Sequence, residues 1–147
     1  MSEPAATLTV RRVFRLPAER VFDAWTDSSL ASRWLFRTPD GQIVKCEIDG
    51  RQGGTFTITD RRAGEDVEHS GSYVEFDRPR RLVFTFSVPK YSDALTTVVL
   101  AIAPSSEGCE LTLENRDVPA EWAASTEEGW CELLARMEAI LGGESSF

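Results

Sequence analysis

The chain begins with a segment of alternating character. From Thr7 to Leu16, the residues Leu8, Val10, Phe14 and Leu16 fall on one side and Thr7, Thr9, Arg11 and Arg15 on the other, the period of a half-buried strand. Val13 breaks the pattern on the polar side and Arg12 breaks it on the apolar side. Pro17 suits the first position of a helix, where a missing N–H costs nothing. Ala18, Val21, Phe22 and Trp25 continue at helical spacing and form one apolar stripe. Asp27-Ser28-Ser29 closes that helix and caps a second short one carrying Leu30 and Trp34.

Between Gln42 and Asn115 the period of two returns. Val44, Cys46 and Ile48 alternate with Lys45, Glu47 and Asp49, and the glycine pair Gly53-Gly54 suits a sharp bend before Phe56 and Ile58. Arg61 to Glu68 is mostly polar and predicts a hairpin tip. Ser70 to Phe76 follows, then a turn at Asp77-Arg78-Pro79 and a strand carrying Leu82, Phe84 and Phe86. Pro89 to Asp93 reads as a loop, Val98, Leu100 and Ile102 as another apolar face, Pro104 to Gly108 as a turn, and Leu111 and Leu113 as the last inward pair. From Pro119 to Leu141 the spacing lengthens to that of a helix, through Trp122, Trp130, Leu133, Leu134, Met137 and Leu141, with Gly142-Gly143 as its stop. A helix of about 20 residues is about 30 Å long and crosses a small domain.

The order of elements predicts an α+β fold over residues 1–147, a single domain with its ordered core at about 7–142. A sheet with one apolar face must cover it, and the C-terminal helix is the element long enough to do so. The expected architecture is a curved antiparallel sheet wrapped around that helix, with two short helices after the first strand. Facing the gap are Phe56, Ile58, Tyr73, Phe84, Phe86, Val98 and Leu100 from the strands, and Trp130, Leu134 and Met137 from the helix. Large rings make the walls of an apolar ligand site and equally fill a core. The pattern accommodates both readings.

Charge narrows the list of partners. The formal net charge is -8, the wrong sign for a protein that neutralises phosphates, so nucleic acid is not an expected partner. No apolar run approaches the roughly 20 residues of a membrane span, so membrane insertion is not expected. The opening Met1-Ser2-Glu3-Pro4-Ala5-Ala6 has neither a basic nor an apolar export region, which predicts a cytoplasmic protein. Cys46, Cys109 and Cys131 lie far apart and read as small apolar side chains. With one histidine, His69, and no carboxylate cluster at ligand spacing, neither a metal site nor another cofactor site is expected.

No nucleophile motif or phosphate-binding loop occurs, and no catalytic residue is assigned. Two polar residues stand out. Strict alternation places Arg12 inward, where it must be paired or meet an anionic ligand, and Glu75 shares a face with Gly71 and Tyr73 and is a candidate partner. The alternative is a bulge or a snorkelling side chain that carries Arg12 to the edge. Gly129, inside the long helix, costs about 1 kcal/mol relative to alanine, which signals either close approach of another element or room left for a ligand.

Several segments together resemble one family. Arg12-Val13-Phe14, Pro17, Val21-Phe22-Asp23-Ala24-Trp25-Thr26-Asp27 and Arg33-Trp34 are similar to the opening of the activators of heat-shock-protein-90 ATPase homologues, members of the START-like superfamily that includes the birch pollen allergen. Gly53-Gly54-Thr55-Phe56 resembles that family's double-glycine strand start, the run from Gly71 to Phe86 its central hairpin, and Gly129-Trp130 with Leu133-Leu134 its closing helix. Arg15-Leu16 and Cys109 depart from the usual pattern. The resemblance implies a helix-grip fold with a hydrophobic cavity, and binding of a small apolar or amphipathic, lipid- or polyketide-like ligand. It also implies two alternatives: an interaction module acting on a chaperone, which here lacks any segment resembling the chaperone-contacting domain, and a cyclase- or hydrolase-type enzyme drawing on Tyr73, Glu75 or His69. A homodimer is compatible with each.

Overall fold

The structure is a computed structural model that describes residues 5–38, 40–90 and 95–145, with residues 5 and 142–145 described as backbone. Met1 to Pro4 and part of the loop expected at Pro89–Asp93 lie outside the described residues. In chain order the elements are β1 (Ala5–Phe14), α1 (Ala18–Thr26), α2 (Ser28–Ala31), β2 (Gln42–Ile48), β3 (Thr55–Arg62), β4 (Glu65–Asp77), β5 (Arg81–Ser87), β6 (Thr96–Ser105), β7 (Gly108–Pro119), a 3-10 turn (Ala120–Trp122) and α3 (Ala123–Ser145). The strands form one antiparallel seven-stranded sheet in the order β1-β7-β6-β5-β4-β3-β2. The sheet curls around α3, and α1 and α2 follow the first strand: this is the helix-grip arrangement.

Asp27 caps α2 as expected, its carboxylate accepting from the Ser29 N–H at 2.9 Å. The Trp34 indole N–H donates to the Ala24 carbonyl at 2.9 Å and ties the segment after α2 back onto α1. At the far end of the sheet, Asn115 is fully buried in the inward register of β7. Its amide donates to the Thr97 carbonyl at 3.1 Å and its oxygen accepts from the Trp130 indole at 3.0 Å, which locks α3 to the strands.

Several boundaries differ from expectation. The polar stretch Arg61–Glu68 is mostly strand: β3 runs to Arg62, β4 starts at Glu65, and the tip is Ala63-Gly64 with φ of 52° and 79°. Both residues in the left-handed region suit a two-residue hairpin turn. Cross-strand ion pairs such as Arg61–Asp66 at 2.7 Å stabilise paired strands without apolar alternation. In β2 a bulge between Ile43 and Lys45 exposes Val44 and leaves Ile43, Cys46 and Ile48 half-buried. β1 ends at Phe14 rather than Leu16, and β6 continues through Pro104 to Ser105. Trp122 lies in the 3-10 turn and is exposed rather than in the core, while α3 continues through Gly142-Gly143 to Ser145.

Candidate functional site

The ten expected cavity residues do face the gap between sheet and α3, and they fill it. Phe56, Ile58, Tyr73, Phe84, Val98, Leu100, Trp130, Leu134 and Met137 are buried, and Phe86 packs against them half-buried. Phe56 meets Tyr73 and Phe84 with ring centroids 5.5 Å apart in each case. Trp25 of α1 comes within 5.8 Å of Trp130, and Phe36 lies at 5.2 Å from Phe86. The void bounded by Trp25, Leu35, Phe56, Tyr73 and Phe84 measures about 10 Å³, far below the 300–1,000 Å³ of a typical ligand pocket. The reason is that Trp25, Leu35 and Phe36 reach into the same space.

Arg12 and Glu75 are not brought together. Arg12 keeps the inward register opposite Leu111, with its Nε buried, and its Nη2 meets Glu138 of α3 at 2.6 Å. A bulge at Val74 shifts the register, so Glu75 faces Val83 instead of sharing a face with Tyr73, and it pairs with Arg81 at 2.7 Å. Tyr73, Glu75 and His69 therefore do not converge. The buried Tyr73 phenol is pushed above its ordinary range by desolvation. Among the described residues, no group of three or more His, Cys, Asp or Glu side chains is placed to hold a metal ion.

Open space lies instead where α3 passes the β3–β4 hairpin. A cleft of about 180 Å³ is bounded by Phe36, Arg37 and Thr38 after α2, Arg62 of β3, His69 of β4, and Gly129, Glu132, Leu133 and Arg136 of α3. Its construction starts from an acid in an apolar register. Asp60 follows Phe56 and Ile58 on the inward face of β3 and is fully buried. Its Oδ2 accepts from Arg62 Nε at 2.8 Å, from the Thr38 N–H at 3.1 Å and from the Thr38 hydroxyl at 2.9 Å. Arg62 also donates to the Phe36 carbonyl at 3.3 Å. A side chain at Gly41 would collide with the Asp60 carboxylate, so the loop closes tightly over it.

That clamp holds Phe36 at φ 60°, a conformation costing a bulky residue about 1–2 kcal/mol. In return the Phe36 ring stacks on the His69 imidazole, centroids 4.3 Å apart and planes 12° from parallel. His69 is 7% exposed, and its Nδ1 has no hydrogen-bond partner. Burial, reinforced by the charge of Arg62, pushes its pKa down to about 4, so the ring is neutral at pH 7. Opposite, a Cβ added at Gly129 would meet nothing within 4 Å. Of the two reasons for a glycine in this helix, room is the one observed. Arg136 reaches across from α3 to donate to the Arg37 carbonyl, and Arg37 Nε donates to the Gly41 carbonyl at 3.1 Å. A broader groove of about 660 Å³, bounded by Ser32, Arg33, Asp40 and Ile140 among others, shares Arg37.

A curled antiparallel sheet gripping a long C-terminal helix, with its interior packed and a small polar-rimmed cleft at one side, defines a helix-grip protein of the START-like class. The family model of activator of Hsp90 ATPase homolog 1-like proteins matches residues 15–142. The chain belongs to that family. Its structure is similar to that of a protein from Chromobacterium violaceum, with 26% identity, a TM-score of 0.82, and 92% of this chain and 96% of that one covered. A Staphylococcus aureus protein shares the fold at 15% identity with a TM-score of 0.87, covering 99% and 98% of the two chains. A protein from Aeromonas hydrophila described as AHSA1-like does so at 18% identity with a TM-score of 0.83, covering 95% and 94%. Among curated proteins none matches the sequence significantly.

Proposed function

We propose that the protein binds a small molecule in the cleft between α3 and the β3–β4 hairpin. The observation that carries this reading is the open space over Gly129, set opposite a buried histidine whose Nδ1 has no partner. A helix interior gains about 1 kcal/mol when glycine becomes a good helix former, and nothing within 4 Å would resist an added Cβ. Retaining glycine there leaves room at a cost in stability, as a binding site does. The ligand is amphipathic, because the walls include Phe36 and Leu133 while the rim carries arginines.

Gly129→Leu tests the reading. This variant is expected to melt higher than the parent while losing the stabilisation that bound compounds give in a thermal-shift screen of lipids, aromatic acids and polyketide-like compounds. Compounds that protect both proteins equally would place binding elsewhere and end the proposal for this cleft.

The family description supports a second reading, stimulation of a chaperone ATPase. Pull-down with heat-shock protein 90 followed by an ATPase assay decides it: no capture and no stimulation removes this alternative.

A further inference from the structure

Resting on that reading of the cleft, we propose that its ligand is a small planar organic anion, an aromatic carboxylate. Its charged group would sit at Arg37 and Arg136, and its ring over Gly129 against Phe36 and Leu133.

Charge is the first argument. The protein as a whole carries -8, yet the cleft gathers Arg37, Arg62 and Arg136 against a single acid, Glu132. Arg62 is balanced by Asp60 at 2.8 Å. Glu132 lies one helical turn before Arg136, so Arg37 and Arg136 leave the rim with a surplus of positive charge. A concave site lined by one sign of charge concentrates ions of the other sign.

Donor geometry is the second. A guanidinium offers five N–H groups in a planar fork matched to a carboxylate. Arg136 gives one to the Arg37 carbonyl and Arg37 gives its Nε to the Gly41 carbonyl. These bonds fix the two stems and leave the remaining donors for an anion.

Size supplies the third. An apolar space of about 150 Å³ accommodates one benzene ring, and the cleft holds about 180 Å³. The volume matches one substituted ring.

The test is an amide NMR titration of the full chain at pH 7 and low salt with benzoate, 3- and 4-hydroxybenzoate, and benzamide as the neutral isostere. The expected result is movement of the Thr38, Gly129 and Leu133 resonances, with the acids binding at least tenfold more tightly than benzamide. Arg136→Gln narrows that gap to less than threefold, and Glu132→Gln, which removes the competing carboxylate, tightens the acids severalfold. If Arg136→Gln does not fold, Glu132→Gln alone carries the charge test. Benzamide binding as tightly as benzoate, with both lost in Gly129→Leu, would leave the cleft as a binding site and overturn its assignment to anions. Movement of none of these resonances with any probe would overturn both.

Discussion

A neutral imidazole held inside a protein leaves a signature in stability. His69 is driven down to about 4 by burial and by Arg62, against 6.5 for an ordinary histidine, with the backbone at Ile58 and Val67 and the Asp60 carboxylate opposing. The unfolded chain therefore binds the extra proton first, and between pH 6.5 and about 4 the unfolded state carries more protons than the folded one. Stability from this group is complete above pH 6.5 and declines as the pH falls towards 4, by about 3 kcal/mol over that window. Urea denaturation of the parent and His69→Phe across this range measures it. The difference between their unfolding free energies should shrink or reverse as the medium is acidified, since phenylalanine has no proton to take up. Parallel curves would show that His69 does not titrate on unfolding. At this scale the sequence was partly legible. An acid two positions after Ile58 on an inward register, followed by Arg62, is a visible signal for a built polar site. Arg37 and Arg136 gave none, because one lies in an irregular segment and the other on a half-exposed flank of a helix, where arginine is common.

One buried polar contact helps to place α3 in an otherwise apolar interface. Asn115 satisfies the Trp130 indole and the Thr97 carbonyl at once. Asn115→Leu preserves volume and leaves the buried Trp130 indole N–H without its partner, at about 1–3 kcal/mol. A loss of that size is expected, together with altered near-ultraviolet dichroism from Trp130. Trp130→Phe in the same chain should recover part of the loss, because the orphaned N–H is then gone; purely additive effects would argue against coupling through this bond. The strands that pack on α3 were readable from period-two alternation, since one face meets the helix and the other does not. The outer end of the β3–β4 hairpin was not. It is built from ion pairs across two strands, and an apolar-polar count has no term for them. The β2 and β4 bulges misled for a related reason: one extra residue exchanges the faces of everything beyond it, which is how Glu75 moved from the expected interior to Arg81.

For the molecule as a whole, the aromatic content that suits a hollow or a filled grip makes a filled one, against the cavity that the family resemblance implied. The same rings serve either purpose, and the choice rested on how far Trp25, Leu35 and Phe36 extend, a property of tertiary placement. No helix among the described residues is long and apolar enough to cross a membrane. The sheet order has a separate consequence. Strands β2 to β7 each pair with their sequence neighbours, but β1 pairs with β7, Leu8 lying opposite Asn115. Closing so wide a loop carries an entropic cost that short hairpins avoid. Substitutions such as Val10→Ala should accelerate unfolding in stopped-flow experiments and leave refolding nearly unchanged, whereas Phe84→Leu in the central hairpin should slow refolding. During synthesis the first strand must wait for the rest of the sheet to emerge, about 5–20 s at ordinary translation rates. Throughout that interval a ribosome-bound nascent chain offers its earliest β-segment, unpaired, to whatever holdase or neighbouring polypeptide is at hand.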